Sequence, residues 1–187
     1  MESTANPPLY IAFTAGVDKP STDRVIAALI DALGKGTCEV HLMISTTGGG
    51  IMNGMTLFNF LRQFPVSLTT YNIGNVDSVG NVIFLAGERR IAAPQSTFMF
   101  HGVAYNLTGP MNLAEPNLIE MLGVVQADQN RMADVIAQRT QIARDDAAHL
   151  FSRAATKTAA EALSLGIIHE IAAPIIPPNA SVVLISA

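Results

Sequence analysis

The chain has 187 residues and a formal net charge of −4, with no Lys/Arg cluster beyond Arg89-Arg90, so the basic patch of a nucleic-acid binder is missing. Its single cysteine, Cys38, excludes an internal disulfide. The sequence shows no secretory signal and no apolar run long enough to cross a bilayer, so we expect a cytoplasmic protein without membrane contacts.

Strands and helices are predicted to alternate along the first hundred residues. Short apolar runs predict strands, and apolar residues three or four positions apart predict helices. The predicted strands cover residues 9–13, 40–44, 66–73 and 97–100, and the predicted helices cover residues 21–33, 51–64 and the stretch from a tight turn at 74–77 to about residue 86. This order indicates an α/β domain over residues 1–187 with a largely parallel sheet.

The C-terminal half begins with one long amphipathic helix, predicted over residues 115–138. Its apolar stripe consists of Leu118, Leu122, Val125, Met132 and Val135. A shorter helix follows, with a capping box from Thr158 to Glu161 and a stop at Gly166. The last predicted strand covers residues 182–185.

The composition also bears on assembly. Charged residues make up only 14% of the chain, and hydrophobic residues 49%, whereas about 25% of an ordinary globular domain is charged. A monomer with so few charges would expose large apolar patches, which usually mark interfaces. The composition therefore favours a homo-oligomer, and the alternative is a lightly charged monomer.

Ser78 is the first candidate for chemistry. It follows a predicted strand and turn and opens an apolar helix. A serine at that position presents its hydroxyl beside the unpaired N–H groups of a helix start, as a nucleophile elbow does, although Val76 stands where the usual motif has its first glycine. Taken alone, the position fits an ordinary N-cap serine equally well.

His101 is the second candidate, because it ends an apolar strand and precedes Gly102. Polar groups at strand ends of α/β sheets often face a ligand crevice. The other histidines, His41, His149 and His169, look structural. No histidine or cysteine pair has metal-ligand spacing, so we expect no metal site and no cofactor.

The glycine run at residues 48–50 could bring backbone N–H groups to a substrate carbonyl, as an oxyanion hole requires. A tight strand-to-helix turn explains the same glycines. The chain has no G-x-x-x-x-G-K-[ST] phosphate loop, so any ATP must be bound by another protein.

Four segments, taken in order, resemble the Clp protease proteolytic subunit family. They are I-S-T-T-G-G at 44–49 with Gly54-Met55 (family I-N-S-P-G-G and G-M), G-N-V-D-S-V-G at 74–80 (family G-Q-A-A-S-M-G), P-Q-S-T-F-M-F-H at 94–101 (family P-N-S-R-x-M-I-H), and residues 158–168 (family S-A-x-E-A…Y-G-L-I/V). The resemblance covers roughly residues 9–171.

The resemblance implies a Clp/crotonase-type spiral of strand–helix repeats with a protruding handle helix, about residues 113–145. It implies a serine endopeptidase that cleaves polypeptides in a chamber built from heptameric rings, single or paired, and fed by a separate ring ATPase. By position, Ser78 would be the nucleophile and His101 the general base. The oxyanion donors would be Gly48, Gly49 and Val79.

One departure concerns the third member of the catalytic triad. The family has an aspartate where this chain has Ala154, and alanine cannot orient an imidazole. Other acids could serve instead, namely Asp134, Asp145, Asp146 or Glu161. The chain could also work as a Ser–His dyad, be a silent structural subunit, or be a crotonase-like acyl-CoA enzyme, although the last does not need the Ser–His pair.

Overall fold

The computed structural model describes residues 6–104, 109, 113–178 and 180–186, and within them eight strands form one sheet. The strands are β1 (Leu9–Thr14), β2 (Glu39–Thr46), β3 (Ser67–Asp77), β4 (Arg89–Ala92), β5 (Thr97–Met99), β6 (Thr156–Thr158), β7 (Glu170–Ile171) and β8 (Ser181–Ser186). The helices are α1 (Lys19–Gly34), α2 (Ile51–Gln63), α3 (Gly80–Phe84), α4 (Glu115–Arg139), α5 (Arg144–Ser152) and α6 (Ala159–Ser164).

The sheet has the order β6-β5-β3-β2-β1-β8, with β4 and β7 branching from β3. All pairs are parallel except β5 with β6. One edge of β3 carries two partners in succession: Thr69–Asn72 pair with β4, and Asn75–Asp77 pair with β5. Because of this change of partner, β5 pairs with the last residues of β3. The chain segments that follow β3 and β5 therefore lie together at one edge of the sheet.

Helix α1 begins earlier than the apolar pattern indicates. Asp18 caps it by accepting a hydrogen bond from the Ser21 N–H at 2.8 Å, while the Ser21 hydroxyl accepts one from the Asp18 N–H. Val25 and Leu29 are fully buried. Ile30 belongs to the same predicted apolar pattern, but its side chain is largely exposed. The helix therefore uses only part of its predicted apolar face to pack against the sheet.

The predicted turn at residues 74–77 is wrong, because these residues continue strand β3. The pairing of β2 with β3 jumps from Ile44–Asn72 to Thr46–Val76, so two extra residues on β3 form a bulge. Gly74 lies at this bulge, where an added Cβ would be 2.8 Å from the Ser45 hydroxyl. Glycine and asparagine here signal an irregular strand, and they look like a turn from sequence alone.

Strand β4 was not predicted, and its central residue shows why it forms. Arg90 is buried, and its guanidinium donates to the carbonyls of Ile167 (2.7 Å), Arg139 (3.0 Å) and Gly166 (3.1 Å). Burial lowers its pKa to about 10, and the nearby Arg139 and Arg62 charges act in the same direction. A charged residue thus anchors the ends of α4 and α6 to the sheet.

Helix α4 has two different halves. Its C-terminal residues Met132, Ala133 and Ile136 are buried in the hydrophobic core. The N-terminal half exposes apolar side chains, namely Leu118, Ile119, Leu122 and Val124. The predicted handle, about 113–145, is therefore one helix that ends at Arg139, and a separate helix, α5, begins at Arg144.

Helix α6 begins and ends where the sequence predicts. Thr158 caps α6 in a reciprocal capping box with Glu161, as the sequence predicts. Gly166 follows with a φ of +68°, a left-handed conformation that suits a helix end. None of the helices in the described ranges is long and apolar enough to span a membrane.

Candidate active site

The carboxyl ends of β2, β3 and β5 meet at one edge of the sheet, because these strands are parallel neighbours. The glycine turn follows β2, Ser78 follows β3, and His101 comes two residues after β5. Together they line a cleft of about 520 Å³. Its described lining residues are Thr47, Gly48, Gly49, Gly50, Ile51, Ser78, His101, Gly102, Val103, Ala104 and Asp128.

Ser78 has a strained backbone. Its φ is +56°, in the left-handed region that residues with a Cβ rarely adopt. The Ser78 N–H donates to the Met99 carbonyl at 2.8 Å. The Asn81 side-chain amide donates to the carbonyls of Ser78 (3.0 Å) and Met99 (2.8 Å). These three bonds fix the sharp turn between β3 and α3, and such strain often occurs at functional sites.

The glycine turn packs directly against this serine. Gly48 has a φ of +83°, and an added Cβ would lie 2.6 Å from the Ser78 Cβ and 2.8 Å from the Asp77 carbonyl oxygen. Only glycine fits this contact without displacing Ser78. The close approach explains chemically why a glycine run follows β2.

The three proposed oxyanion donors differ in their present bonding. The Gly48 N–H donates to the Thr46 hydroxyl at 3.1 Å. The N–H groups of Gly49 and Val79 donate to no atom among the described residues. Gly48 and Gly49 line the cleft, whereas Val79 does not and instead packs against Gly54 on α2. Within the described ranges, the N–H groups of Gly49 and Val79 therefore have no hydrogen-bond acceptor, but only Gly49 also belongs to the cleft lining.

His101 is half-buried, and its Nδ1 lies 2.9 Å from the carbonyl oxygen of Gly102. Because a carbonyl oxygen only accepts hydrogen bonds, Nδ1 carries the proton in this contact. A neutral ring then has its lone pair on Nε2, which is the arrangement a general base needs. Within the described part of the chain, no hydrogen bond joins the Ser78 hydroxyl to the ring, although both side chains line the same cleft.

Ala154 comes next to the last contact between β5 and β6. These strands are antiparallel, and the Phe100 N–H donates to the Ala155 carbonyl at 2.8 Å, so the register, if continued by one residue, would put Ala154 opposite His101. Ala154 has a φ of +50°, a conformation that Asn and Asp adopt more readily than Ala. The position at which the family resemblance implies an aspartate is thus occupied by a methyl group.

The other acids considered from the sequence do not line the cleft within the described residues. Asp134 pairs with the Arg144 side chain at 2.9 Å. Glu161 caps α6, and Asp145 and Asp146 lie in the first turn of α5. None of these carboxylates is placed to orient His101.

Asp128, on α4, lines the cleft, and the sequence analysis missed it. A signal for it existed, because Val125, Asp128, Met132 and Val135 are spaced three, four and three apart. An acid within an apolar helical stripe is unusual, since charged groups are seldom buried without a partner. Asn81 and the Gly102 carbonyl were missed as well, and neither left a pattern in the sequence.

The remaining histidines lie in structural contacts. His41 stacks on Tyr10, with ring centres 4.4 Å apart, and its Nδ1 lies 2.9 Å from the Tyr71 hydroxyl. Burial lowers its pKa, although the Glu39 carboxylate acts in the opposite direction. His169 accepts a hydrogen bond from the Arg90 N–H at 3.2 Å, and burial lowers its pKa too. His149 lies in the last turn of α5.

The mixed sheet with its branching strands and six helices fits the Clp-type α/β fold. The family model described as Clp protease matches residues 8–174. The chain therefore belongs to the Clp protease family, and this membership supports its assignment to the peptidases.

Individual relatives are distant. The ATP-dependent Clp protease proteolytic subunit 2 of Chlamydia trachomatis serovar D is 25% identical over 158 residues, which cover 83% of this chain and 76% of that protein. The ATP-dependent Clp protease proteolytic subunit of Deinococcus radiodurans is 23% identical over 135 residues, which cover 71% of this chain and 64% of that protein. A solved structure of a ClpP1 mutant from Listeria monocytogenes superposes with a TM-score of 0.78 at 20% identity, covering 88% of this chain and 91% of that chain.

Proposed function

We propose that this protein is a serine endopeptidase in which Ser78 is the nucleophile and His101 the general base. One observation carries the proposal: Ser78, His101 and the glycine turn line a single cleft. The contact of His101 Nδ1 with the Gly102 carbonyl supports it, because it leaves Nε2 as the ring nitrogen that can accept a proton. Family membership supplies the class of reaction. Polypeptides are the proposed substrates, and no cofactor takes part.

The proposed reaction follows Ser–His acyl transfer. His101 Nε2 takes the Ser78 hydroxyl proton while Oγ attacks the peptide carbonyl. The N–H groups of Gly49 and Val79 stabilise the oxyanion, and Gly48 joins them when its bond to the Thr46 hydroxyl is exchanged for one to the substrate. His101 then protonates the leaving amine, and water hydrolyses the acyl-enzyme by the reverse sequence.

Two features of the site require comment. The Ser78–His101 hydrogen bond is absent within the described residues, but such bonds often form only when substrate is bound. The Gly102 carbonyl orients the ring, yet it is neutral and stabilises an imidazolium less than a carboxylate does. Losing the acid costs about 10⁴ in turnover in well-studied triads, so we expect a slow peptidase.

The assembly is also a proposal. Leu118, Ile119 and Leu122 lie on one side of α4 and form an exposed apolar surface there. Packing of this surface against another copy of the chain would bury it, which fits a ring or double ring enclosing the cleft. The relatives' names describe ATP-dependent proteases, and we propose that a separate ATPase delivers substrates in the cytoplasm. Native mass spectrometry should show a ring-sized particle, and a monomer at micromolar concentration would refute the assembly.

A silent structural subunit is the second candidate, and Ala154 is the observation that favours it. The crotonase-like alternative gains no support, because the family match over residues 8–174 is to Clp proteases. Hydrolysis of unstructured polypeptides by the assembled protein separates the two remaining candidates. Ser78→Ala, His101→Ala and the double variant should lose activity to the same extent, because residues acting as one unit are not additive. Absence of wild-type hydrolysis, or activity that survives in Ser78→Ala, would refute the peptidase.

A further inference from the structure

We propose that Asp128 makes this cleft select substrates with a lysine or arginine side chain next to the scissile bond. This inference rests on the proposed peptidase function. Asp128 belongs to α4, far from Ser78 in sequence, but it lines the same cleft as Ser78 and His101. A peptide held with its carbonyl at Ser78 would place a neighbouring side chain near this carboxylate.

Only one oxygen of the Asp128 carboxylate accepts a hydrogen bond from the described residues. Its side chain is 19% exposed, and Oδ1 accepts a hydrogen bond from the Arg131 guanidinium at 2.5 Å. Oδ2 accepts no hydrogen bond from the described residues. Arg131 is 45% exposed and does not line the cleft. Arg131 reaches the carboxylate as an i, i+3 pair on one helix, and such pairs stabilise a helix only weakly, so a substrate cation can share the carboxylate or replace Arg131.

The other described lining residues of the cleft carry no fixed charge. Apart from Asp128 and the ionisable ring of His101, its described lining residues are glycines, apolar residues, one serine and one threonine. Residues 105–112, which follow the described lining in sequence, include no Lys, Arg, Asp or Glu. Among the described lining residues, the Asp128 carboxylate is therefore the one fixed charge, with Arg131 as its neighbour outside the lining, and its low exposure strengthens its attraction for a cation.

The shape of the cleft suits long basic side chains. Ile51 and Val103 offer apolar surface, while Gly102 and Ala104 leave room beside His101. Lysine and arginine can lay their methylene groups along apolar walls and extend the charged end to a carboxylate. Acidic side chains in the same place would face repulsion, and short apolar ones would gain no contact with the carboxylate, which would keep Arg131 as its partner.

Matched peptides that differ only at the residues flanking the cleavage site test this proposal. For the wild-type assembly, kcat/KM should be about 10- to 100-fold higher for Lys or Arg than for Leu or Glu, which is the range expected for a charged hydrogen bond. Asp128→Asn should remove this preference, so that kcat/KM for the lysine peptide falls to within about twofold of kcat/KM for the leucine peptide. Asp128→Lys should favour the glutamate peptide. Asp134→Asn is the matched control, because Asp134 lies on the same helix and pairs with Arg144.

Binding measurements test the role of Asp128 without requiring turnover. Fluorescence anisotropy with Ser78→Ala should show that the lysine peptide binds more tightly than the leucine peptide, and adding Asp128→Asn should abolish the difference. Equal affinities would overturn the role of Asp128, even if the wild type proves to be an active peptidase. An equal loss of kcat for every peptide in Asp128→Asn would also overturn it, since that result indicates a role in orienting His101.

Discussion

The backbone N–H of Ser78 donates a 2.8 Å hydrogen bond to the carbonyl of Met99. This bond ties the turn that carries the proposed nucleophile to strand β5, which ends two residues before His101. Asn81 reinforces the tie by donating to the same carbonyl and to that of Ser78. The relative position of the two proposed catalytic residues is thus fixed mainly by backbone contacts.

Asn81 is accordingly expected to act as a positioning residue. Asn81→Ala removes two hydrogen bonds from a buried site and should cost about 1–3 kcal/mol of stability. Asn81→Asp should be worse, because its carboxylate would face two carbonyl oxygens. In protein that remains folded, kcat should fall more than KM changes. Peptide kinetics and circular dichroism measure both effects, and an unchanged kcat in folded Asn81→Ala would contradict this role.

Gly48 is expected to tolerate no side chain. Gly48→Ala places a Cβ 2.6 Å from the Ser78 Cβ at a left-handed φ, so Ser78 must move and activity should be lost. Gly123→Ala is the control, because it lies in α4 with nothing within 4 Å of the added Cβ and should stabilise the helix by about 0.5–1 kcal/mol. Urea denaturation and peptide hydrolysis compare the two. Retention of full activity in Gly48→Ala would show that the glycine turn does not contact the nucleophile.

Ala154 offers a gain-of-function test. Ala154→Asp would place a carboxylate beside His101, and Asp accepts the φ of +50° better than Ala does. We expect kcat to rise at least tenfold, with about 10⁴ as the upper limit set by well-studied triads. Ala154→Asn has the same shape without the charge and should give a smaller increase. If Asp and Asn variants hydrolyse peptides no faster than the wild type, the Gly102 carbonyl already orients the ring as well as an acid would.

Stability should fall as the pH is lowered from about 7.5 to 5, because burial lowers the pKa values of His41 and His169. The unfolded chain, with histidine pKa values near 6.5, binds protons at a higher pH than the folded chain, so acid favours unfolding. Asp18 and Glu161 also have lowered pKa values. The stability that these two carboxylates contribute is lost only below about pH 4.5. Between pH 7.5 and 5 the change in stability therefore comes mainly from the histidines.

Replacing His41 isolates its share of this effect. His41→Gln keeps a polar group near the Tyr71 hydroxyl but does not titrate, so its urea midpoint should depend less on pH between 7.5 and 5 than that of the wild type. Both proteins are compared at one concentration, because oligomerisation adds to apparent stability. A wild-type midpoint that rises on acidification would contradict the pKa directions, and equal slopes would contradict the assignment to His41.

The sequence predicted the elements that carry strong local signals. The capping box at Thr158, the strand before Ser78 and the glycine turn at 48–50 all have short-range physical causes, and four ordered segments predicted the family. The bulge at Gly74 was mistaken for a turn, because the same residue types mark both irregularities. Strand β4 was missed because Arg90 obtains its partners from residues up to 79 positions away.

The candidate site shows the same division. Ser78, His101, Gly48 and Gly49 were proposed from local patterns, and the structure brings them to one cleft. The Gly102 carbonyl could not be predicted, because every residue has one and only the ring rotamer of His101 selects it. Asp128 interrupts an apolar stripe in the sequence, but only the folded structure shows that it lines the cleft.

Covalent labelling of the assembled protein with a fluorophosphonate tests the central claim most directly, because this probe reacts with activated serines. Peptide mapping by mass spectrometry should find one adduct, on Ser78. Ser78→Ala should give none, His101→Ala should react far more slowly, and Asp134→Asn should react at the wild-type rate. Failure of the correctly assembled wild type to react, or an adduct on a different serine, would contradict the assignment of Ser78 and His101 as a catalytic pair.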